Sequence, residues 1–255
     1  MSAPRAPVVA GNWKMNHGPG ETARFFADFL PLHAPSEAGG VLVFPPAVSL
    51  AAAREALAGR PDVRLGAQNV HWEASGAFTG ELSVAMAAEA GAELVLVGHS
   101  ERRHLFGETV EETVRKVRAV LDGGLVPVLC VGETLEEREA GRAEQVVADQ
   151  LGPVLAALAA DEVERLVVAY EPVWAIGTGV TATPDDAETM HRSVRARLAE
   201  AFGREAADRV PVLYGGSVKP DNAGELMARP GVDGVLVGGA SLDPRGFAAI
   251  AAAAG

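Results

Sequence analysis

The chain has 255 residues, of which 48% are hydrophobic and 22% are charged, so it is long enough to bury a full core. Its 22 basic and 34 acidic residues give a formal net charge of -12 at pH 7, which argues against nucleic acid or an anionic membrane as a partner. The single cysteine excludes an internal disulfide, and the first residues lack the long apolar segment of a signal peptide. We therefore expect a cytoplasmic protein that does not span a membrane.

Eight short runs of β-branched or aliphatic residues recur along the chain and predict eight strands. They are 8–11, 41–44, 63–67, 94–97, 126–131, 166–170, 210–214 and 234–237. A segment with helical periodicity lies in each gap, which is typical of repeated βα units around a parallel sheet. No low-complexity linker divides the chain, so we expect residues 1–255 to form one domain.

Local signals mark several of the helices. Phe25, Phe26 and Phe29 share one apolar face of a predicted helix. Thr134 and Glu137 have the spacing of a capping box, which predicts one long helix that continues through residue 155. The segment 183–186, a threonine followed by proline and two acids, predicts the start of a further helix.

Polar or glycine-rich groups follow six of the predicted strands. They are Asn12 and Lys14, Gln68-Asn69, His99-Ser100-Glu101, Glu171, Gly215-Gly216-Ser217 and Gly238-Gly239. In a closed (β/α)8 barrel these groups meet at one face, whereas in an open doubly wound sheet they would be spread along an edge. The alternation of elements fits both architectures, and the polar strand ends favour the α/β class with a single closed barrel.

Glu171 follows the sixth apolar run and would stand at the carboxyl end of a buried strand. Pro172 stiffens the chain after it, while Gly177 and Gly179 permit backbone conformations and close ligand approach that other residues resist. The same stretch also fits an ordinary loop that leads to a helix start at Thr183, so the rest of the chain must decide.

The first and fourth strands are followed by residues that could act together. Lys14 is flanked by a tryptophan and a methionine, two apolar neighbours that are unusual for a lysine in a surface loop. Most lysines, however, are simply solvated. If His99 faces the N-terminus of a turn capped by Ser100, the helix dipole should lower its pKa and keep the imidazole neutral. Glu101 is placed to pair with a neighbouring cation.

Two glycine-rich loops, at 215–217 and 238–239, precede short helical segments. Successive N–H groups in such loops bind anions, so the loops are candidates for two sides of a phosphate site. Each loop is weak evidence alone. After strands seven and eight of a barrel, however, they match the commonest phosphate position of that fold.

Other chemistries have less support in the sequence. No histidines and carboxylates have zinc-ligand spacing, and no Walker A motif or GxGxxG sequence opens a first βα unit. Cys130 is flanked by Leu129 and Val131 without an activating neighbour, which favours burial over a nucleophilic role. The remaining histidines are interpreted as surface or packing residues: His17, His33, His71, His104 and His191.

Five motifs occur in a fixed order along the chain. They are GNWKMN at 11–16, GHSERR at 98–103, AYEPVWAIGTG at 169–179, YGGSV at 214–218 and LVGGASL at 236–242. Together they make the chain resemble the triose-phosphate isomerase family nearly end to end. The resemblance implies a TIM barrel that interconverts dihydroxyacetone phosphate and D-glyceraldehyde 3-phosphate in glycolysis and gluconeogenesis, with no cofactor and no metal.

The resemblance also implies a role for each candidate residue. Glu171 would move a proton between two substrate carbons and neutral His99 would polarise the carbonyl, a pairing already established for this family. Lys14 would stabilise the enediolate and the phosphate, with Asn12 as a further donor and Glu101 supporting them. Backbone N–H groups would hold the phosphate at Gly177, Ser217, Gly238 and Gly239.

Three further expectations come from the resemblance. Residues 172–179 would form a mobile lid that excludes water from the enediolate. The loop 69–80 would reach into a second subunit, where Thr79 would support Asn12 and Lys14, so we expect a homodimer. Val180 stands where many relatives have lysine after the lid, and the resemblance does not carry over at that position.

Two other functions stay open on the sequence alone. An epimerase or aldolase acting on a larger sugar phosphate needs a metal cluster or a Schiff-base lysine at an inner strand position, and neither is evident. A barrel that only binds a phosphorylated metabolite would lack the base or the imidazole. Because Glu171 and His99 are both present, the isomerase is the favoured hypothesis.

Overall fold

The computed structural model describes residues 7–35, 40–176 and 182–254. Its strands are β1 (Val8–Asn12), β2 (Val41–Phe44), β3 (Val63–Ala67), β4 (Leu94–Val97), β5 (Val126–Val131), β6 (Val167–Tyr170), β7 (Val212–Tyr214) and β8 (Gly234–Val237). Each strand pairs in parallel with its neighbours in sequence, and β8 closes the ring by pairing with β1. The predicted closed (β/α)8 barrel is therefore confirmed, and the alternative of an open doubly wound sheet is wrong.

Two strands begin slightly later than their apolar runs. β6 starts one residue late because Leu166 ends the 3-10 helix Val163–Arg165. β7 starts two residues late because Val210 ends the helix Arg204–Arg209, and Pro211 has no N–H to offer the ladder. In both places a short helix ends just before the strand, so the apolar run is longer than the strand itself.

The strands are buried on both faces, which explains their nearly continuous apolar sequences. One face packs against the surrounding helices, and the other fills the barrel with a separate apolar cluster. Inside the barrel the ring of Phe44 occupies the space left by Gly66, where a Cβ atom would lie 2.1 Å from that ring. Cys130 belongs to this inner cluster, so its predicted burial is confirmed, and burial raises the pKa of its thiol well above the ordinary value.

The described residues form eleven α-helices. They are α1 (Pro19–Phe29), α2 (Leu50–Ala56), α3 (Val84–Glu89), α4 (Ser100–Leu105), α5 (Val110–Asp122), α6 (Leu135–Glu139), α7 (Ala143–Ala156), α8 (Pro184–Phe202), α9 (Arg204–Arg209), α10 (Ala223–Met227) and α11 (Pro244–Ala252). Each of them, within the described residues, is too short or too polar to cross a bilayer.

The local sequence signals predict where the helices start better than they predict how long the helices are. Thr134 and Glu137 form the predicted capping box, but α6 ends at Glu139 and the predicted long helix is wrong. Gly141 adopts φ 70°, a left-handed conformation that favours glycine and interrupts the helix before α7 begins. The predicted cap of α8 is confirmed, because the Thr183 side chain accepts from the backbone of the third helical residue.

Candidate active site

The carboxyl ends of five strands converge on one cavity of about 250 Å³. Its lining includes seven of the nine residues that the resemblance assigned to catalysis or substrate binding: Asn12, Lys14, His99, Glu171, Ser217, Gly238 and Gly239. Asn12 ends β1, the others lie in the loops after β1, β4, β6, β7 and β8, and barrel closure brings them all together.

Glu171 stands directly after β6 with only 2% of its surface exposed. Its Oε1 lies 2.9 Å from Nε2 of His99, and its Oε2 accepts a hydrogen bond of 2.9 Å from the backbone N–H of Ser100. Burial raises the pKa of this carboxyl. The His99 imidazole and the Ser100 N–H together lower it by more than that, so the pKa lies below the ordinary value. The carboxylate is therefore ionised and already in contact with a proton donor.

His99 and not Ser100 caps helix α4, which corrects the sequence interpretation. The backbone N–H of Glu101 donates to Nδ1 of His99 at 3.3 Å, and Ser100 is the first helical residue. Ser100 is thus free to direct its own N–H at Glu171. The error arose because the side-chain preferences for a cap rank serine well above histidine.

The expected lowering of the His99 pKa by the helix dipole is also corrected. Burial lowers the pKa of this imidazole, but the adjoining carboxylate of Glu171 raises it more, so the balance lies above the ordinary value. The hydrogen bond to Nδ1 acts in the other direction, because only a neutral ring can accept at that nitrogen. A substrate that enters between His99 and Glu171 separates the imidazole from the carboxylate that raises its pKa, and the hydrogen bond to Nδ1 then favours the neutral ring.

Lys14 is held in a fixed position and is not a solvated loop lysine. Its backbone has φ 53°, a left-handed conformation that is uncommon outside glycine. The side chain of Asn12 accepts from the Lys14 N–H at 3.0 Å, and the amide of Gln68 donates to the Lys14 carbonyl at 2.8 Å. Its ammonium pairs with Glu101 at 2.8 Å, which confirms the predicted pairing of Glu101 with a cation.

The two glycine-rich loops also line the cavity. A Cβ atom on Gly215 would lie 2.9 Å from Cγ of Glu171, and one on Gly216 would lie 2.1 Å from the hydroxyl of Tyr214. Glycine is therefore required where the first loop passes the carboxylate. The second loop approaches Lys14, whose Cε would lie 3.6 Å from a Cβ on Gly238.

Some predicted features lie outside the described residues. Gly177, Gly179 and Val180 are among them, and the expected lid 172–179 is described only as far as Ile176. Its described part forms a 3-10 helix, Val173–Ala175, and Ile176 lines the cavity.

Thr79 lies in a different cavity of its own chain. That cavity is lined by the loop 69–80 together with α4 and α5, and the cavity that holds Glu171 does not include Thr79. A third cavity lies beside the β1 loop and includes Met15, whose side chain is 95% exposed. An expected role of Thr79 at Lys14 thus requires a second copy of the chain.

The sequence analysis gave no catalytic or binding role to Gln68, Ser100 or Gly132, although it placed Gln68 and Ser100 among the polar groups that follow strands. Ser100 donates to the carboxylate through its backbone, Gln68 fixes Lys14, and Gly132 packs against the backbone of Glu171. Gln68 carried a detectable signal, because it follows a predicted strand. Ser100 and Gly132 act through backbone contacts, which a sequence pattern does not show. Among the described residues, no three His, Cys, Asp or Glu side chains are arranged to hold a metal ion.

Comparison with known proteins gives matches along almost the whole chain. A family model described as triosephosphate isomerase matches residues 7–254. The chain is 54% identical over 250 residues to the triosephosphate isomerase of Symbiobacterium thermophilum, covering 98% of this chain and 97% of that protein. It is 52% identical over 246 residues to that of Solibacter usitatus (96% and 98% covered) and 52% over 253 residues to that of Alkalilimnicola ehrlichii (98% and 99%).

Proposed function

The chain belongs to the triosephosphate isomerase family, whose enzymes interconvert dihydroxyacetone phosphate and D-glyceraldehyde 3-phosphate, and we propose that Glu171 and His99 carry this reaction here. The main support for this proposal is the 2.9 Å contact between His99 Nε2 and Glu171 Oε1, in a cavity that Lys14 also lines. A base, a hydrogen-bond donor and a cation are thus within reach of one small anionic substrate.

Glu171 acts as the base in this proposal. It takes a proton from C1 of dihydroxyacetone phosphate, the electron pair forms the C1–C2 double bond of an enediolate, and the carbonyl oxygen takes the negative charge. A proton moves between the two oxygens, and Glu171 returns its proton to C2. In the structure this carboxylate contacts His99 and the Ser100 N–H, so substrate binding must separate it from at least one of them.

His99 acts as a neutral electrophile. Because its Nδ1 accepts from the Glu101 N–H, its Nε2 carries the proton and points at the position of Glu171 Oε1. A substrate carbonyl that enters there receives this hydrogen bond as charge develops on its oxygen. A preorganised donor of this kind typically contributes about 3 to 4 kcal/mol to the transition state.

Lys14 and Asn12 supply the remaining charge stabilisation. The ammonium of Lys14 lies beside Gly238 in the lining of the cavity. The side-chain oxygen of Asn12 accepts a hydrogen bond from the Lys14 N–H, so its NH2 group is left to donate to the enediolate. Glu101 holds the ammonium of Lys14 in place at 2.8 Å.

The phosphate binds to backbone N–H groups of Gly177, Ser217, Gly238 and Gly239 in this proposal. The support is the position of Ser217, Gly238 and Gly239 in the lining of the cavity that also holds Glu171. Residues 172–179 close over the substrate as a lid, which keeps water away from the enediolate and strengthens its hydrogen bonds.

We further propose a homodimer of single-domain subunits, each comprising residues 1–255, in the cytoplasm. The loop 69–80 of one subunit would enter the cavity beside Met15 of the other, where Thr79 would reach the loop that carries Asn12 and Lys14. Two observations support this: Met15 is almost fully exposed beside a catalytic loop, and Phe78 exposes 43% of its surface at the loop tip.

The test is a coupled assay of the purified protein with each triose phosphate in turn. We expect interconversion in both directions without added metal or cofactor, and competitive inhibition by a phosphoglycolate-type mimic of the enediolate. Absence of isomerisation in a folded protein would overturn the proposal. Activity without inhibition by the mimic would contradict the assigned mechanism.

A further inference from the structure

Arg138, on helix α6, lies behind the active site and contacts three separate parts of the chain. Its Nη1 pairs with Oε1 of Glu133 at 3.2 Å, and its Nη2 forms an ion pair with Asp186. The guanidinium carbon lies over the ring of Trp174, 4.6 Å from the ring centroid. None of these contacts involves the cavity that holds Glu171, whose lining does not include Arg138.

Glu133 connects Arg138 to the strand that carries the base. It has no exposed surface, and its Oε1 accepts from the Tyr170 hydroxyl at 3.0 Å and from the Trp174 ring N–H at 2.8 Å. Its backbone carbonyl accepts from the N–H of Val173 at 3.1 Å. Glu133 therefore holds the chain on both sides of Glu171.

The carboxylate of Glu133 depends on Arg138 for its counter-charge. Among the described residues, Arg138 is the cation that pairs with it, and its Oε2 has no hydrogen-bond partner there. A buried carboxylate that loses its cation keeps its desolvation cost without compensation. The hydrogen bonds from Tyr170 and Trp174 would then have to change, because the carboxylate would move.

Asp186 connects Arg138 to the start of helix α8. Asp186 is the third helical residue, and its side chain accepts from both the N–H and the hydroxyl of Thr183 as part of the capping box. One guanidinium therefore links Trp174, which precedes residues 177–181, to the helix that follows them. A planar fork with separate NH2 groups can make this link, whereas a lysine ammonium cannot contact both carboxylates and stack on the ring.

We propose that Arg138 is a positioning residue for the isomerisation, which fixes the segment after Glu171 against the N-terminus of α8. It touches no substrate and acts through Glu133, Trp174 and Asp186. The inference rests on the proposed function, since its effect is on the placement of Glu171 and Ile176 at the cavity.

The main variants are Arg138→Met, which keeps the length and removes the charge, and Arg138→Lys, which keeps the charge and removes the fork. We expect Arg138→Met to lower kcat by between about tenfold and about a hundredfold, because small displacements of a catalytic group have effects of this size. Affinity for phosphoglycolate should fall in parallel. Arg138→Lys should lie between this variant and the wild type.

Asp186→Asn removes only the ion pair between Arg138 and helix α8. It keeps the Arg138–Glu133 pair, so no buried charge is left alone, and the side-chain oxygen of an asparagine at this third helical position can still accept from Thr183. A smaller loss of kcat in the same direction is expected. This variant keeps the proposal testable if Arg138→Met does not fold. Arg142→Met is the matched control, since Arg142 is exposed and close in sequence.

Tryptophan emission separates positioning from simple stabilisation. The signal of Trp174 is obtained by subtracting the spectrum of Trp174→Phe, and we expect Arg138→Met and Asp186→Asn to shift it. Wild-type kcat and unchanged Trp174 emission in both variants, with only the melting temperature lowered, would overturn the proposal. If the wild type itself does not isomerise triose phosphates, the proposed function fails, while the emission shift still tests whether Arg138 places Trp174.

Discussion

Gly132 and Glu171 lie so close together that no side chain fits between them. A Cβ atom on Gly132 would lie 1.7 Å from the carbonyl oxygen of Glu171. Because the atom in the way belongs to the backbone, it cannot rotate aside as a flexible side chain would. The N–H of Glu171 also donates to the carbonyl of Val131 at 2.8 Å. The residues at the end of β5 therefore hold the backbone of the proposed base in place.

Gly132→Ala should consequently damage both stability and activity. We expect the free energy of unfolding to fall by about 1 to 3 kcal/mol, which is typical of an overpacked site. We also expect kcat to fall by about tenfold or more, since Glu171 must move. Urea denaturation and the coupled isomerase assay measure the two effects.

Gly152→Ala is the matched control for that variant. Gly152 lies in helix α7, and apart from its chain neighbours and the adjacent helix backbone no atom lies within 4 Å of the added Cβ position. Alanine should there raise the free energy of unfolding by up to about 1 kcal/mol and leave kcat unchanged. If Gly132→Ala behaved like Gly152→Ala, the close contact would have no bearing on the base.

Glu171→Asp moves the carboxylate back by one methylene while keeping its charge. We expect kcat to fall by about a hundredfold to ten-thousandfold, the range typical of a displaced general base, with a much smaller change in KM. Circular dichroism should stay unchanged. Glu139→Asp, at an exposed position on α6, should behave as the wild type. A Glu171→Asp enzyme with near-normal kcat would remove Glu171 from the role of base.

The sequence predicted the barrel well because its signals are local and repeated. Each β-branched run is a strand, and each cap at Thr134 or Thr183 starts a helix. Closure of the ring needed a further argument, which came from the polar groups at the strand ends. The length of α6 was missed although Gly141 carried a signal, since a glycine within a helical pattern is often tolerated.

The site was predicted where a residue acts through its own side chain and was missed where it acts through a tertiary contact. Asn12, Lys14, His99 and Glu171 all line the predicted cavity. The pKa of His99 was predicted in the wrong direction because the dominant neighbour, a carboxylate far along the chain, is invisible to local reasoning. For the same reason the sequence showed no link from Arg138 to α8.

Lys14→Met tests the charge at the reacting end of the cavity. Removing the ammonium should lower kcat/KM by about a hundredfold to a thousandfold, as for other preorganised groups that stabilise an oxyanion. Glu101→Gln should give a smaller loss, because it only releases Lys14 from its 2.8 Å ion pair. Arg24→Met, which removes one exposed cation elsewhere, is the control. Equal activity of Lys14→Met and Arg24→Met would contradict the role of Lys14.

His191→Asn should change the acid stability of the protein. His191 has no exposed surface, and burial lowers its pKa from 6.5 to about 4. The unfolded chain therefore binds a proton here between pH 6.5 and about 4 while the folded chain does not, so stability falls as pH falls through that window. The contribution lost is about 3 kcal/mol. Asparagine can still donate to the Gly231 carbonyl, which now lies 2.9 Å from Nδ1.

The measurement for His191 is the free energy of unfolding in urea at several pH values between 4 and 7. Carboxylates titrate alike in both proteins, so the difference between wild type and His191→Asn isolates the histidine. We expect the wild type to lose stability more steeply toward pH 4 than the variant. Parallel curves would show that the buried imidazole carries no pH dependence.

Met15→Asp and Thr79→Asp test the proposed dimer from its two sides. Met15 is 95% exposed in the single chain, next to Lys14, and the dimer would bury it against the loop that carries Thr79. A carboxylate desolvated in that contact should favour dissociation. Both variants should sediment as monomers, and kcat should fall sharply because the loop that carries Lys14 loses its support. Leu32→Asp, at an exposed position after α1, should stay dimeric and active. Full activity of a demonstrated monomer would show that each barrel is catalytically complete by itself.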